Sequence, residues 1–124
     1  VIGGYAVAYH GFPRATADMD VWVAVSAQNA TRMVTALKEF GFDSPELSPE
    51  LFSKGGQIVR MGMPPLRIEI WTTVSGVDFK TCWASRTKTL WDGVEVNIIS
   101  LSELKRNKKA AGRHKDLNDL ENLP

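Results

Sequence analysis

The sequence predicts an α+β domain: a mixed central β-sheet with helices packed on it. Three observations lead there. Short runs that alternate apolar and polar residues recur at 18–25, 57–62, 66–71, 88–91 and 94–98, the period of a half-buried strand. Helical stripes of period 3.6 occupy 26–40 and the stretch after Ser100. The strands cluster centrally and helices come last, which is not the strict alternation of a doubly wound sheet.

Each element has a local cause. Residues 1–3 read as a strand end, and 5–10 as one or two helical turns closed by Gly11 and Pro13. In the strand at 18–25, Met19, Val21 and Val23 point toward a core, while Asp18 and Asp20 share the other face. Ser26 is an N-cap for a helix ending at Phe40, with Gly41 just beyond it. Ala30, Met33, Val34, Leu37 and Phe40 form its apolar stripe, and Arg32, Lys38 and Glu39 face water. Ser44-Pro45, Ser48-Pro49 and Gly55-Gly56 punctuate a loop with one short helix. Strands at 57–62 and 66–71 meet in a hairpin-like connection around Pro64-Pro65. Residues 77–84 form a short helix. Asp92-Gly93 is a two-residue hairpin turn between 88–91 and 94–98. Ser100 and Glu103 have capping-box spacing for a helix into Ala111, which Gly112 ends. Leu117, Leu120 and Leu123 give the final short helix an apolar face.

A chain of 124 residues is of single-domain length and can bury one core. It carries 15 Lys and Arg against 14 Asp and Glu, a net charge of +1, so no global field draws it to nucleic acid. The basic residues bunch at 105–115. Cys82 is the only cysteine, which excludes an internal disulfide and a zinc cluster, and fits a buried thiol in a reducing cytoplasm. There is no membrane-length apolar run and no signal peptide. The chain begins at Val1, without Met, within a strand-like stretch, so an N-terminal segment is expected to precede it.

The chemistry gathers at the beginning. Gly3-Gly4-Tyr5 precedes Asp18-Met19-Asp20 by about a dozen residues. Two carboxylates side by side on a strand repel unless a cation lies between them. Mg²⁺ suits this position, since it is held by one or two carboxylates plus substrate phosphates. The glycine turn can bring backbone N–H groups to a phosphate. Glu69 lies on the same strand face as Arg67 and Trp71. If that strand adjoins 18–25, Glu69 completes a three-carboxylate cluster fit for metal-assisted phosphoryl chemistry, or serves as a general base; otherwise it pairs with Arg67. Arg14 reaches a phosphate or locks its own loop, and Thr16 lies beside it. In the tail, Lys108, Arg113 and Asp116 stand apart, and Lys105, Arg106 and Lys109 read as a solvated or weakly polyanion-facing surface. His10 and His114 have no partner at metal-ligand spacing.

These residues resemble a known family. Val1-Ile2-Gly3-Gly4-Tyr5-Ala6, His10-Gly11, Arg14-Ala15-Thr16 and Asp18-Met19-Asp20 look like the first motif of the nucleotidyltransferase superfamily, with its polymerase-β-like fold. Small prokaryotic proteins related to abortive-infection toxins are the closer likeness. Ile99-Ser100-Leu101, Lys108, Ala110-Ala111-Gly112-Arg113 and Lys115-Asp116-Leu117 resemble their C-terminal signature. The likeness implies a single nucleotidyltransferase-like domain over 1–124 and Mg²⁺- or Mn²⁺-dependent transfer of a nucleoside monophosphate from an NTP such as ATP. Asp18, Asp20 and Glu69 would hold metal and carry catalysis. Gly3, Gly4, Tyr5, Arg14, Thr16 and Lys108 would meet the nucleotide, with Asp116 supporting them. The acceptor would be tRNA, a protein or a small molecule, and an antitoxin would be a partner if the chain is the toxin of such a pair. The family usually has Gly-Ser where this chain has Gly4-Tyr5, and Asp where it has Glu69.

Two other functions compete. One is a catalytically inactive module of the same fold that binds nucleotide or a partner protein, which Tyr5 favours. The other is a nucleic-acid-binding domain using the basic tail, which the near-neutral charge opposes.

Overall fold

The computed structural model describes residues 1–63 and 66–124. The expected connection at Pro64-Pro65 lies outside the described residues. The elements run α1 (Gly3–Tyr9), β1 (Asp18–Trp22), α2 (Ala27–Phe40), a 3-10 turn (Pro49–Phe52), β2 (Ile58–Met61), β3 (Arg67–Trp71), α3 (Phe79–Ala84), β4 (Thr87–Trp91), β5 (Val94–Ile98), α4 (Leu101–Ala111) and α5 (His114–Asn122). The domain is α+β, with a mixed sheet and helices.

Local signals set many of the boundaries. The Ser26 hydroxyl accepts the Asn29 N–H at 3.0 Å and starts α2. Gly41 ends it in the left-handed conformation, φ 110°. Ser100 caps α4 through the Glu103 N–H, and Gly112 closes that helix at φ 66°. Asp92 and Gly93 both take positive φ, 51° and 79°, as a tight turn between β4 and β5 requires.

The central sheet has the order β1-β3-β2, with β1 parallel and β2 antiparallel to β3. One face carries Val21, Ile68 and Ile70, which pack on Ala30 and Leu37 of α2 and on Phe52, a core residue from the 3-10 turn. The other face carries Asp18, Asp20, Trp22, Arg67, Glu69 and Trp71 in alternating register. Trp22 and Trp71 support a second core with Ala6 and Val7 of α1, Leu104 of α4 and Leu123. The polar half of this face is left open as a cleft.

Several expectations are corrected. The β4–β5 hairpin is a separate two-stranded sheet, not part of the central one. Residues 1 and 2 connect the two sheets: the Ile99 N–H donates to the Val1 carbonyl at 3.1 Å, and the Ile2 N–H to the Asp20 carbonyl at 3.0 Å. β1 stops at Trp22, ahead of the expected end at 25, although the Val23 N–H still donates to the Trp71 carbonyl. Phe40 is 69% exposed and meets Phe42, its ring 5.5 Å away, outside the core stripe.

The largest correction concerns α5. Its inward face is formed by Asp116 and Asp119, both fully buried, with Leu123 one turn on. Positions 116, 119, 120 and 123 share one helical face, and Leu117 lies off it, 46% exposed. Truncating one member of a buried charge set strands its partners, at a cost of about 3–5 kcal/mol. Asp119→Ala is therefore expected to lower unfolding free energy by about that amount, and Leu117→Ala by less than about 0.5 kcal/mol. Urea titration followed by circular dichroism measures both; equal small losses would contradict the buried-acid face.

Candidate functional site

Parallel pairing of β1 and β3 makes an acidic wall. Asp18 stands opposite Arg67, and Asp20 opposite Glu69. The Arg67 Nε and Nη2 donate to the two Asp18 oxygens at 2.7 and 2.9 Å. Nη2 also lies 3.2 Å from Glu69 Oε1, and Arg60 lies 3.6 Å from the same oxygen. The Trp71 indole N–H donates to Asp20 Oδ1 at 3.1 Å. Hydrogen bonds from Arg67 hold Asp18 below the usual carboxylate range. Burial pushes Glu69 upward, and the adjacent Asp18 carboxyl adds to the rise. Burial likewise raises Asp20, against the Trp71 bond and with the Asp18 charge.

The glycine turn packs directly on this wall. Gly3 has φ +65°, and a Cβ there would run into the Asp20 carboxylate. A Cβ on Gly4 would stand 2.6 Å from the Thr16 hydroxyl oxygen and 3.3 Å from an Arg14 nitrogen. Thr16 donates to the Asp18 carbonyl at 3.2 Å. Both glycines are required by close approach: backbone sits where a side chain would displace the acids or their loop.

A basic wall faces them. Lys108, only 4% exposed, lies with its ammonium 3.0 Å from Asp119 and 3.3 Å from Asp116. Arg14 forks onto Asp119 at 2.7 and 2.8 Å, and this holds the loop before β1 against α5. Asp116 accepts the Arg113 backbone N–H at 3.1 Å and its Nε at 2.7 Å. Burial opposes ionisation of both aspartates, but the arginine bonds and the Lys108 charge outweigh it and hold both below their ordinary range. Three cations meet two anions here, so the network leaves a positive surplus on the cleft.

The cleft between the walls has a volume of about 390 Å³. Asp18, Asp20, Glu69, Gly3, Gly4, Arg14, Thr16 and Lys108 all line it. Tyr5 does not: it turns into an adjoining depression with Tyr9 and Trp91, which Thr16 also borders. Asp116 lies beneath the cleft as a positioning residue for Lys108 and Arg113. Sequence reasoning missed Asp119, whose i,i+3 spacing from Asp116 was its only signal. It also missed Lys115 and Trp71 as lining residues. Of the other basic residues, Arg106 pairs with Glu103 at 2.8 Å and Lys105 donates to the Pro124 carbonyl at 2.7 Å. His10 donates from Nε2 to the Ile99 carbonyl at 2.7 Å, and Cys82 is buried.

The carboxylate oxygens are hard donors of the kind Mg²⁺ or Mn²⁺ takes, so the donor set fits such an ion. Among the described residues, however, no three His, Cys, Asp or Glu side chains stand ready-placed to hold one. Arg67 occupies Asp18 and part of Glu69. No described helix is long and apolar enough to cross a membrane.

No protein-family model matches the chain, and no curated protein matches it.

The basic wall makes stability pH-dependent. Asp116 and Asp119 titrate below the ordinary value of 3.8 in the folded state, so their contribution is complete above that value and is lost as pH falls below it. Asp20 and Glu69 shift the other way; Lys108 reaches Asp20 only through its charge but bonds Asp116 and Asp119 directly, so its removal acts chiefly on the network. Lys108→Met removes a cation that holds both aspartates low, and is expected to move acid unfolding to higher pH than in the wild type. Acid titration by circular dichroism checks this, and coincident curves would contradict it.

Proposed function

We propose that the chain is a nucleotidyltransferase that binds a metal-bound nucleoside triphosphate in this cleft and transfers the nucleoside monophosphate to an acceptor hydroxyl. One observation carries the reading: three carboxylates and a buried, doubly anchored lysine line a single cleft, with a glycine turn packed against the acids. A lone acidic row would suit only a cation, and a lone basic wall only an anion. Opposed, they suit an anion that arrives with its own cation.

Asp18, Asp20 and Glu69 would hold the divalent ion, which supplies charge neutralisation at the leaving pyrophosphate. The other contributions belong to the chain. Asp116 and Asp119 fix the Lys108 ammonium at the cleft wall, where its charge would add to the field that meets the triphosphate. Arg14 is anchored through the same Asp119 and borders the same space. In the transfer, the acceptor oxygen bonds to the α-phosphorus. The bond from that phosphorus to the bridging oxygen breaks, and pyrophosphate leaves. Glu69 would accept the acceptor's proton at its carboxylate. The acceptor class follows only from the resemblance: tRNA, a protein or a small molecule, in a toxin–antitoxin setting or outside one.

The pairing of Arg67 with Asp18 favours a second reading, a module that binds nucleotide without turnover. Thermal unfolding with Mg²⁺ and each NTP tests binding. A ligand at a hundred times its Kd stabilises by about 2.7 kcal/mol, so a melting shift of about ten degrees is expected. Asp18→Asn with Asp20→Asn is expected to abolish the shift, and Lys108→Ala to reduce it far more than Lys109→Ala. Labelled NTP with cell extract then separates the readings: a labelled acceptor marks the enzyme, and binding without label marks the module. An unchanged shift in the double aspartate variant would overturn both.

A further inference from the structure

We propose that Arg67 is the cleft's built-in cation: a divalent ion enters by displacing its guanidinium from Asp18 and Glu69, and the triphosphate that accompanies the ion takes the guanidinium over. This rests on the reading of the cleft as a metal–nucleotide site.

The register makes the contact unavoidable. Arg67 is the cross-strand partner of Asp18 and precedes Glu69 by one full pleat, so all three project from the same face. The fork uses both Asp18 oxygens, and Nη2 reaches Glu69 Oε1 as well. Asp20 is bonded to the Trp71 indole instead. Two of the three carboxylates are thus already paired with a protein cation, and among the described residues no three ligating side chains stand ready-placed for an ion.

The contact is also releasable. The Arg67 side chain is 31% exposed and the Asp18 side chain 20%, unlike Lys108, which is sealed at 5%. A partly solvated ion pair is held far more weakly than a buried one. Arginine forks onto phosphate with the same planar geometry it uses for carboxylate. Arg67 lines the same cleft as Lys108, so a phosphate held there lies within the space that the guanidinium borders. Metal and triphosphate then assist each other: the ion frees the arginine, and the triphosphate receives it. In the protein alone, a bare ion must compete with the guanidinium for the acids.

Mn²⁺ titration followed by the electron paramagnetic resonance of the free ion tests this without any turnover. The wild type, Arg67→Met, Arg67→Lys and Asp20→Asn are each titrated with and without a non-hydrolysable NTP. Wild type is expected to bind Mn²⁺ weakly alone and more tightly with the nucleotide. Arg67→Met removes the competing hydrogen-bonded cation and is expected to tighten binding of the bare ion by roughly tenfold, with little further gain from nucleotide. Arg67→Lys keeps the charge and loses the fork, and is expected to fall between them; it carries the test if Arg67→Met does not fold. Equal or weaker Mn²⁺ affinity in both arginine variants, with binding lost in Asp20→Asn, would overturn this inference and leave the metal–nucleotide reading standing. No Mn²⁺ binding by any protein, with or without nucleotide, would overturn both.

Discussion

The in-register parallel pairing of β1 with β3 is the constraint on which the cleft depends. A slip of β1 by one residue would turn Asp18 and Asp20 to the opposite face, into the layer now filled by Val21, Ile68 and Ile70. Burying two carboxylates there without partners would cost on the order of the domain's whole stability margin. The apolar face therefore fixes the register, and the register fixes the acids. Asp20 holds a further place in this scheme: its carbonyl accepts the Ile2 N–H, and its side chain packs on Gly3. Strand, glycine turn and first helix thus meet at one residue.

The opposite wall is built by another rule. No sheet positions Lys108; two carboxylates from the next helix do. Such a network contributes little net stability compared with apolar packing, because desolvating the charges offsets most of their attraction. What it provides is position. Arg14, more than a hundred residues away in sequence, forks onto the same Asp119, so the loop before β1 and the last helix are fixed together. The acidic wall is thereby set at a defined distance from the basic one.

Much of this was legible in the sequence where the cause is local. Caps at Ser26 and Ser100, stops at Gly41 and Gly112, and the Asp92-Gly93 turn each act within a few residues. The acidic row follows from strand alternation, given that two strands adjoin. The rest depends on contacts between distant segments. Leucine spacing in the last helix suggested an apolar face; the buried face carries two aspartates, because Lys108 and Arg14 arrive to neutralise them. Tyr5 follows the glycine turn directly, yet helical geometry turns it away toward Trp91. Arg67 was visible as a partner for Glu69, but its closer bond is to Asp18, across the strand pair.

If this is a metal–nucleotide site, metal and triphosphate occupy the cleft together. Paramagnetic broadening of backbone amide resonances by Mn²⁺ with a non-hydrolysable NTP measures that directly, since broadening falls steeply with distance from the ion. Gly3, Gly4, Asp18, Asp20 and Glu69 are expected to broaden first, then Lys108, while the Asp92-Gly93 turn stays sharp. Broadening centred elsewhere, or spread evenly over the surface, would contradict joint occupancy.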